Sequence, residues 1–115
     1  MIDLIGAAVE VAAKDPDRNW SPSRSAPSAA VSFLRCVIAH ESNGRPKAEN
    51  PRSTASGLFQ FIDGTWQHYA SRLPVARKYR HAADAPASVQ WEVALLAVKW
   101  GGHGNWNGTH CGYGT

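Results

Sequence analysis

The chain has 115 residues, the size of one small domain with a single modest core, and we expect one domain over residues 1–115. Its net charge of +3 comes without a dense Lys/Arg run or basic–aromatic interleaving, which argues against a nucleic-acid partner. The mild positive charge fits either attraction to an anionic polymer or ordinary solubility. No apolar run approaches the ~20 residues that a membrane span needs.

The N-terminal residues carry no chemistry that we recognise. Residues 2–14 predict a helix that packs on the core, because apolar residues recur there at helical spacing. They lack the basic start of a secretory signal and carry Asp3, so we expect a phage-encoded chain, another export route, or a piece of a longer exported precursor. Residues 15–26 are rich in Pro and Ser and predict a surface loop pinned by Trp20.

Residues 27–42 predict the helix on which the rest of the chain depends. Leu34, Val37 and Ile38 precede Glu41 by seven, four and three positions, so all four side chains lie on one helix face. Glu41 therefore continues an apolar stripe that faces the core. For the start of this helix we expect a cap from Ser25 or Ser28, with Pro27 in the first turn.

The predicted helix ends directly after Glu41. Ser42-Asn43-Gly44 is a turn signal and Pro46 cannot continue a helix, so the carboxyl lies where the core opens onto a cleft. Desolvation and the negative end of the helix dipole should both raise its pKa. An acid that is still protonated near neutral pH can donate a proton to a leaving oxygen. The alternative is an ordinary solvated Glu; His40 is interpreted as a neighbour rather than a base.

Residues 43–62 contain too many turn residues for a long helix and predict a short, irregular hairpin. Gly57 is expected to have a positive φ or to allow a close backbone approach. Gln60 is a polar residue between Phe59 and Phe61, and a buried amide there needs hydrogen-bond partners.

Two further helices are predicted. The first spans residues 64–72, with Asp63 as a candidate cap and Trp66, Tyr69 and Ala70 facing inward; the basic residues 75–81 then form a turn or two. The second spans residues 86–100, with Asp84 as a candidate cap and Pro86 in the first turn. Its apolar stripe is Val89, Val93, Leu96 and Trp100, while Gln90 and Glu92 are expected to stay on a polar face. A tail rich in Gly and aromatic residues follows.

The order of short motifs resembles a known family. His40-Glu41-Ser42-Asn43-Gly44 is followed by Ala48-Glu49-Asn50-Pro51, Ala55-Ser56-Gly57-Leu58-Phe59-Gln60-Phe61 and Thr65-Trp66. This order resembles the lytic transglycosylases and lysozyme-like muralytic domains. It is most similar to small actinobacterial and phage members related to resuscitation-promoting factors. The pattern covers about 30 residues, and its two halves are specific only in combination.

The resemblance implies a mainly α, lysozyme-like (α+β) domain with a short irregular hairpin or loop beside the active-site cleft. It implies cleavage of the β-1,4 bond between N-acetylmuramic acid and N-acetylglucosamine in peptidoglycan, with Glu41 as sole acid and base and no cofactor. The expected partner is the glycan strand, and the expected state is a monomer that acts on the cell wall. The candidate substrate-binding residues are Ser56, Gly57, Gln60, Tyr69, Trp100 and Trp106. Trp106 can either stack on a sugar or cover the core.

Cys36 and Cys111 are the only two cysteines. Their spacing allows a disulfide, two free thiols, or a poor zinc site with His40 and His110. Relatives often tie the catalytic helix to the C-terminus, so the resemblance favours the disulfide, and we expect no metal.

Three other functions stay open on the sequence alone. A hydrolytic lysozyme would pair Glu41 with a second carboxylate such as Glu49 or Asp63, whose separation would set the stereochemistry. The other two are a non-catalytic wall-binding module and a small zinc-stabilised interaction domain. No acid after the helix lies in a context that marks it as a partner for Glu41, which favours the transglycosylase.

Overall fold

The computed structural model of the chain describes residue 22 and residues 25–113, and in them it is mainly helical. The α-helices are α1 (Ser28–Glu41), α2 (Asp63–Ala70) and α3 (Ala87–Lys99), and short 3₁₀ helices span Ala82–Asp84 and Gly102–Thr109. This confirms the predicted fold class. The helix expected over residues 2–14 and the anchor Trp20 lie outside the described residues. None of the described helices is both long enough and apolar enough to cross a bilayer.

Helix α1 confirms the predicted apolar stripe. Its buried residues are Ala30, Phe33, Leu34 and Val37. The helix begins after Pro27, whose carbonyl accepts the Val31 N–H at 3.0 Å. The expected cap from Ser25 or Ser28 is wrong, because Pro27 occupies the capping position and forms no side-chain capping bond.

Helices α2 and α3 form close to their predicted spans, but both expected caps are wrong. Ile62 occupies the position before α2, and Asp63 is the first helical residue, with its carboxylate turned to His81. Pro86 occupies the position before α3, while Asp84 ends the first 3₁₀ helix. A proline or extended residue sets the entry angle in each case, and the acid is drawn to another role or to solvent.

The segment between α1 and α2 confirms the predicted irregular hairpin. Isolated antiparallel bridges join Glu49 to Ser56 and Ser56 to Phe61, and the described residues contain no longer strand. The Gly57 N–H donates to the Ala48 carbonyl at 2.8 Å, which closes the turn against the segment that follows α1.

Helices α1 and α3 pack against each other in opposite directions. At one end, Gln90 of α3 bonds to the Pro46 carbonyl, just beyond the end of α1. At the other end, Ala30 of α1 and Leu95 of α3 line one groove. The core between the helices and the hairpin is aromatic and includes Trp91. The C-terminal end of α3 therefore lies beside the start of α1, far from Glu41.

A disulfide joins Cys36 of α1 to Cys111, across a sequence separation of 75 residues. This confirms the predicted bridge. Because both sulfurs are consumed, the free-thiol and cysteine–zinc alternatives do not hold in this structure. The bridge fixes the 3₁₀ tail against the middle of the helix that carries Glu41.

We expect reduction of this bridge, or a Cys36→Ser/Cys111→Ser double variant, to lower the free energy of unfolding by about 3 to 4.5 kcal/mol, because the unfolded chain regains the entropy of a long loop. Urea unfolding of the parent with and without reductant measures this. The double variant is the control, since its stability should not respond to reductant. A parent that unfolds equally with and without reductant would contradict the expectation.

Candidate active site

Glu41 is the last residue of α1 and is partly buried. Burial raises the pKa of its carboxyl above the ordinary value of 4.5, and the nearby His40 opposes this with a smaller effect. Within the described part of the chain, no residue forms a hydrogen bond or ion pair with this carboxyl. The group is thus a partly desolvated acid whose oxygens bond to none of the described residues.

The turn after Glu41 is held by Ser42, which is 2% exposed. Its hydroxyl donates to the Ile38 carbonyl at 3.3 Å and accepts the Gly44 N–H at 3.2 Å. Asn43 and Gly44 adopt left-handed conformations, which reverse the chain at once. The Glu-Ser-x-Gly pattern therefore has a structural reason: the serine and glycine end the helix sharply and keep Glu41 at its edge.

Gln90 is the residue that sequence reasoning placed wrongly on a polar face. It is 1% exposed, and its Oε1 accepts the Leu58 N–H at 2.7 Å. Its Nε2 donates to the carbonyls of Pro46 and Ala85 at 3.0 and 2.9 Å. One buried amide thus joins the hairpin, the segment after α1 and the loop before α3. The sequence feature that could have indicated its burial is its position between Val89 and Trp91, which are both buried.

Gly57 confirms both expectations made for it. Its φ is +81°, and a Cβ at this position would collide with Oε1 of Gln90. The backbone passes so close to the buried amide that only glycine fits without a shift of the chain.

Ser56 and Gln60 stabilise the same turn. Ser56 is fully buried, and its hydroxyl accepts the Ala83 N–H at 3.0 Å. Gln60 has a positive φ of 54°, and its Nε2 donates to the carbonyls of Gly57 and Ala48 at 3.0 and 3.3 Å. Its Oε1 accepts no bond from the residues that the structure describes. Gln60 can therefore still offer this oxygen to a ligand.

Of the aromatic candidates, Trp106 and Tyr69 are buried and Trp100 is exposed. Trp106 is 3% exposed, and its indole N–H donates to the Phe59 carbonyl at 2.8 Å, so it lies in the core. Tyr69 is 9% exposed, and its ring lies 6.2 Å from that of Trp100, which is 46% exposed. Trp100 follows the end of α3, so the structure does not bring it to Glu41.

A groove of about 590 Å³ lies beside the start of α1. Pro27, Ala30, Leu73 and Leu95 are among its lining residues, and Glu41 is not. From Ala30 to Glu41 the helix rises by roughly 16 Å. The groove is therefore not the site of the chemistry expected at Glu41.

His81 engages both carboxylates that were considered as second catalytic acids. Its Nδ1 lies 2.7 Å from Asp63, and its Nε2 lies 3.0 Å from both oxygens of Glu49. The hydrogen bond with Asp63 is the main cause that raises the pKa of His81 above 6.5. Stability from this cluster is fully present below pH 6.5 and is lost as the pH rises through the raised pKa. It is small, because Glu49 is 59% exposed.

We expect Gln90→Leu to lower the free energy of unfolding by about 2 to 5 kcal/mol, because the Leu58 N–H and two carbonyls lose their buried partner. Gln67→Leu is the matched control. Gln67 bonds to the Arg80 carbonyl near the surface, and loss of this hydrogen bond should lower the free energy of unfolding by under about 1 kcal/mol. Denaturant unfolding of both variants measures the difference. Equal losses would contradict a special role for Gln90.

Comparison with known proteins gives a family and a set of relatives. The model of the transglycosylase SLT domain matches residues 18–115. The chain is 38% identical over 73 residues to the "Probable transglycosylase SceD" of Staphylococcus aureus strains Newman, USA300 and COL. Each alignment covers 64% of this chain, and the chain spans only 30% of the length of these relatives. No solved structure gives a significant match.

Proposed function

Since this chain belongs to the family of transglycosylase SLT domains, we propose that it is a peptidoglycan lytic transglycosylase with Glu41 as its sole acid and base. The bond broken is the β-1,4 linkage between N-acetylmuramic acid and N-acetylglucosamine. The observation that carries this proposal is the partly buried carboxyl of Glu41, which has no partner among the described residues and whose pKa is raised by burial. The names of the relatives support the same reaction class.

The reaction needs one carboxyl group in two states. Protonated Glu41 donates its proton to the bridging oxygen, and the bond from that oxygen to C1 of the muramic acid breaks. The resulting carboxylate then takes the proton of the C6 hydroxyl on the same sugar, and the C6 oxygen bonds to C1. The product is a 1,6-anhydro sugar, and Glu41 is again protonated for the next cycle. No water enters the balance.

The surroundings of the other acids favour this route over hydrolysis. His81 engages both oxygens of Glu49 and one oxygen of Asp63, so we assign neither carboxylate as the second acid of a hydrolase. Glu92 lines the groove at the far end of α1. Asp84 is exposed in the first 3₁₀ helix. A single-acid mechanism requires none of them.

We propose that some residues contact the substrate directly and that others only position the backbone of the site. Oε1 of Gln60 accepts no bond from the described residues and lies in the turn held against Ala48, seven residues after Glu41, so we assign it a direct hydrogen bond to the glycan. Ser56, Gly57 and Trp106 act indirectly, by fixing the turn and the Phe59 carbonyl. Tyr69 and Trp100 offer an aromatic contact away from the reacting bond. The chain then acts as a monomer on the cell wall, with no metal or cofactor.

We expect Glu41→Gln to clear peptidoglycan suspensions at least ~100-fold more slowly than the parent, because a positioned general acid contributes this much or more. Glu92→Gln is the matched control, since it makes the same chemical change at an exposed position remote from Glu41. Turbidity clearing by equal amounts of folded protein measures both. If Glu41→Gln clears walls as fast as the parent, the protein acts as a binding module.

The product distinguishes the two enzymatic routes. We expect mass analysis of digested peptidoglycan to find fragments 18 Da lighter than hydrolysis products, since a transglycosylase adds no water. Reducing-end assays should give little signal for muramic acid. A free reducing muramic acid as the main product would identify a hydrolase instead.

The raised pKa of Glu41 also predicts a gain of stability when the charge is removed. A carboxyl whose folded pKa exceeds 4.5 destabilises the fold as the pH rises through and above that value. Glu41→Gln should therefore melt at a higher temperature than the parent at pH 7, with the difference shrinking toward pH 4. Calorimetric melts of both proteins across this range test the sign. A Glu41→Gln variant less stable than the parent at pH 7 would contradict the desolvation argument.

A further inference from the structure

The segment from Arg72 to Arg80, called here the basic turn, concentrates positive charge on one flank. It contributes Arg72, Arg77, Lys78 and Arg80, and residues 64–83 contain no Asp or Glu. These four charges exceed the net charge of +3 of the whole chain. In the described part of the protein, none of the four forms an ion pair with a carboxylate. Such a surface is electrostatically unbalanced and attracts anions.

The basic turn is a fixed part of the fold. The indole N–H of Trp66 donates to the Tyr79 carbonyl at 2.7 Å, and Nε2 of Gln67 donates to the Arg80 carbonyl at 2.8 Å. Ala76, in the middle of the turn, is fully buried. The backbone is therefore held against α2 while the four basic residues are exposed, so the backbone loses little conformational freedom on binding.

The charges adjoin the exposed aromatic contact. The guanidinium of Arg72 lies 5.3 Å from the centre of the Trp100 ring, which in turn contacts Tyr69. Leu73 lines the groove at the start of α1, whereas His81, directly after the turn, contacts Glu49 of the hairpin. The basic turn thus extends along one flank from the far end of α1 to the hairpin that follows Glu41.

A polymer that crosses the protein from Glu41 toward Trp100 would meet sugar-binding and cationic groups together. Peptidoglycan has this chemistry, because its sugars carry peptide stems that end in carboxylates. We propose that the basic turn and Trp100 form an accessory surface that binds the carboxylates of these peptide stems and retains the enzyme on the wall. The inference rests on the proposed function for the identity of the polymer.

The test is binding to purified sacculi in the Glu41→Gln background, so that no wall is cleaved during the assay. We expect Arg77→Gln/Lys78→Gln to weaken binding about fivefold at low salt, as for two exposed charge pairs. The matched control, Arg35→Gln/Arg52→Gln, removes two exposed charges elsewhere and should bind as the background protein does. The gap between the variants should close near 1 M salt, where the screening length is about 3 Å.

Two treatments of the sacculi identify the partner group. Amidation of the stem carboxylates should remove the gap between the variants, whereas removal of wall-attached phosphodiester polymers should leave it. If the phosphodiester treatment removes the gap, or if both double variants bind equally, the proposal is overturned. Melting temperatures of all variants check folding. Cleavage by the parent is measured separately, so failure of the reaction and failure of the accessory surface give different results.

Discussion

The side-chain amide of Gln90 is the constraint on which the geometry of this domain depends. It is buried on α3 and bonds to three backbone groups that lie 32, 44 and 5 residues away in the sequence. Burial of an amide costs free energy unless all its hydrogen bonds are made. The three segments therefore have one arrangement of low free energy, in which each of them bonds to Gln90. That arrangement excludes a side chain at residue 57. It also fixes the hairpin relative to the turn in which α1 ends.

The environment of Glu41 is the opposite of that of the other buried polar side chains. Gln90, Ser56 and Ser42 are buried and bonded to the backbone, whereas Glu41 is partly buried with no partner among the described residues. Burial without a partner raises the pKa and lowers the stability of the ionised fold. The proposed role as a proton donor depends on this raised pKa, because a hydrogen bond to the carboxylate or an ion pair would lower the pKa and leave the group ionised near neutral pH. The hydrogen bonds of Gln90 fix the backbone around the site, so no contact to the carboxyl of Glu41 is needed to position it.

Local patterns were sufficient for much of this fold. The stripe ending at Glu41 predicted α1, proline and apolar spacing predicted α3, and clustered turn residues predicted the hairpin. The disulfide came from family resemblance, since the spacing of the two cysteines allowed three states. The cap expected from Asp63 failed because its carboxylate bonds to His81, a partner 18 residues away that no local rule includes. The burial of Gln90 was missed for the same reason, because its partners are backbone atoms that only the completed fold brings close.

The pairing of His81 bears on how many acids the proposed reaction uses. A retaining or inverting glycosidase needs a second carboxylate that is free to attack or to activate water. Glu49 and Asp63 follow Glu41 in the hairpin and at the start of α2, but each shares the imidazole of His81. Freeing either one would break a link between the hairpin and α2. We therefore propose neither carboxylate as a second catalytic acid, and the proposed mechanism uses the substrate's own hydroxyl as the nucleophile.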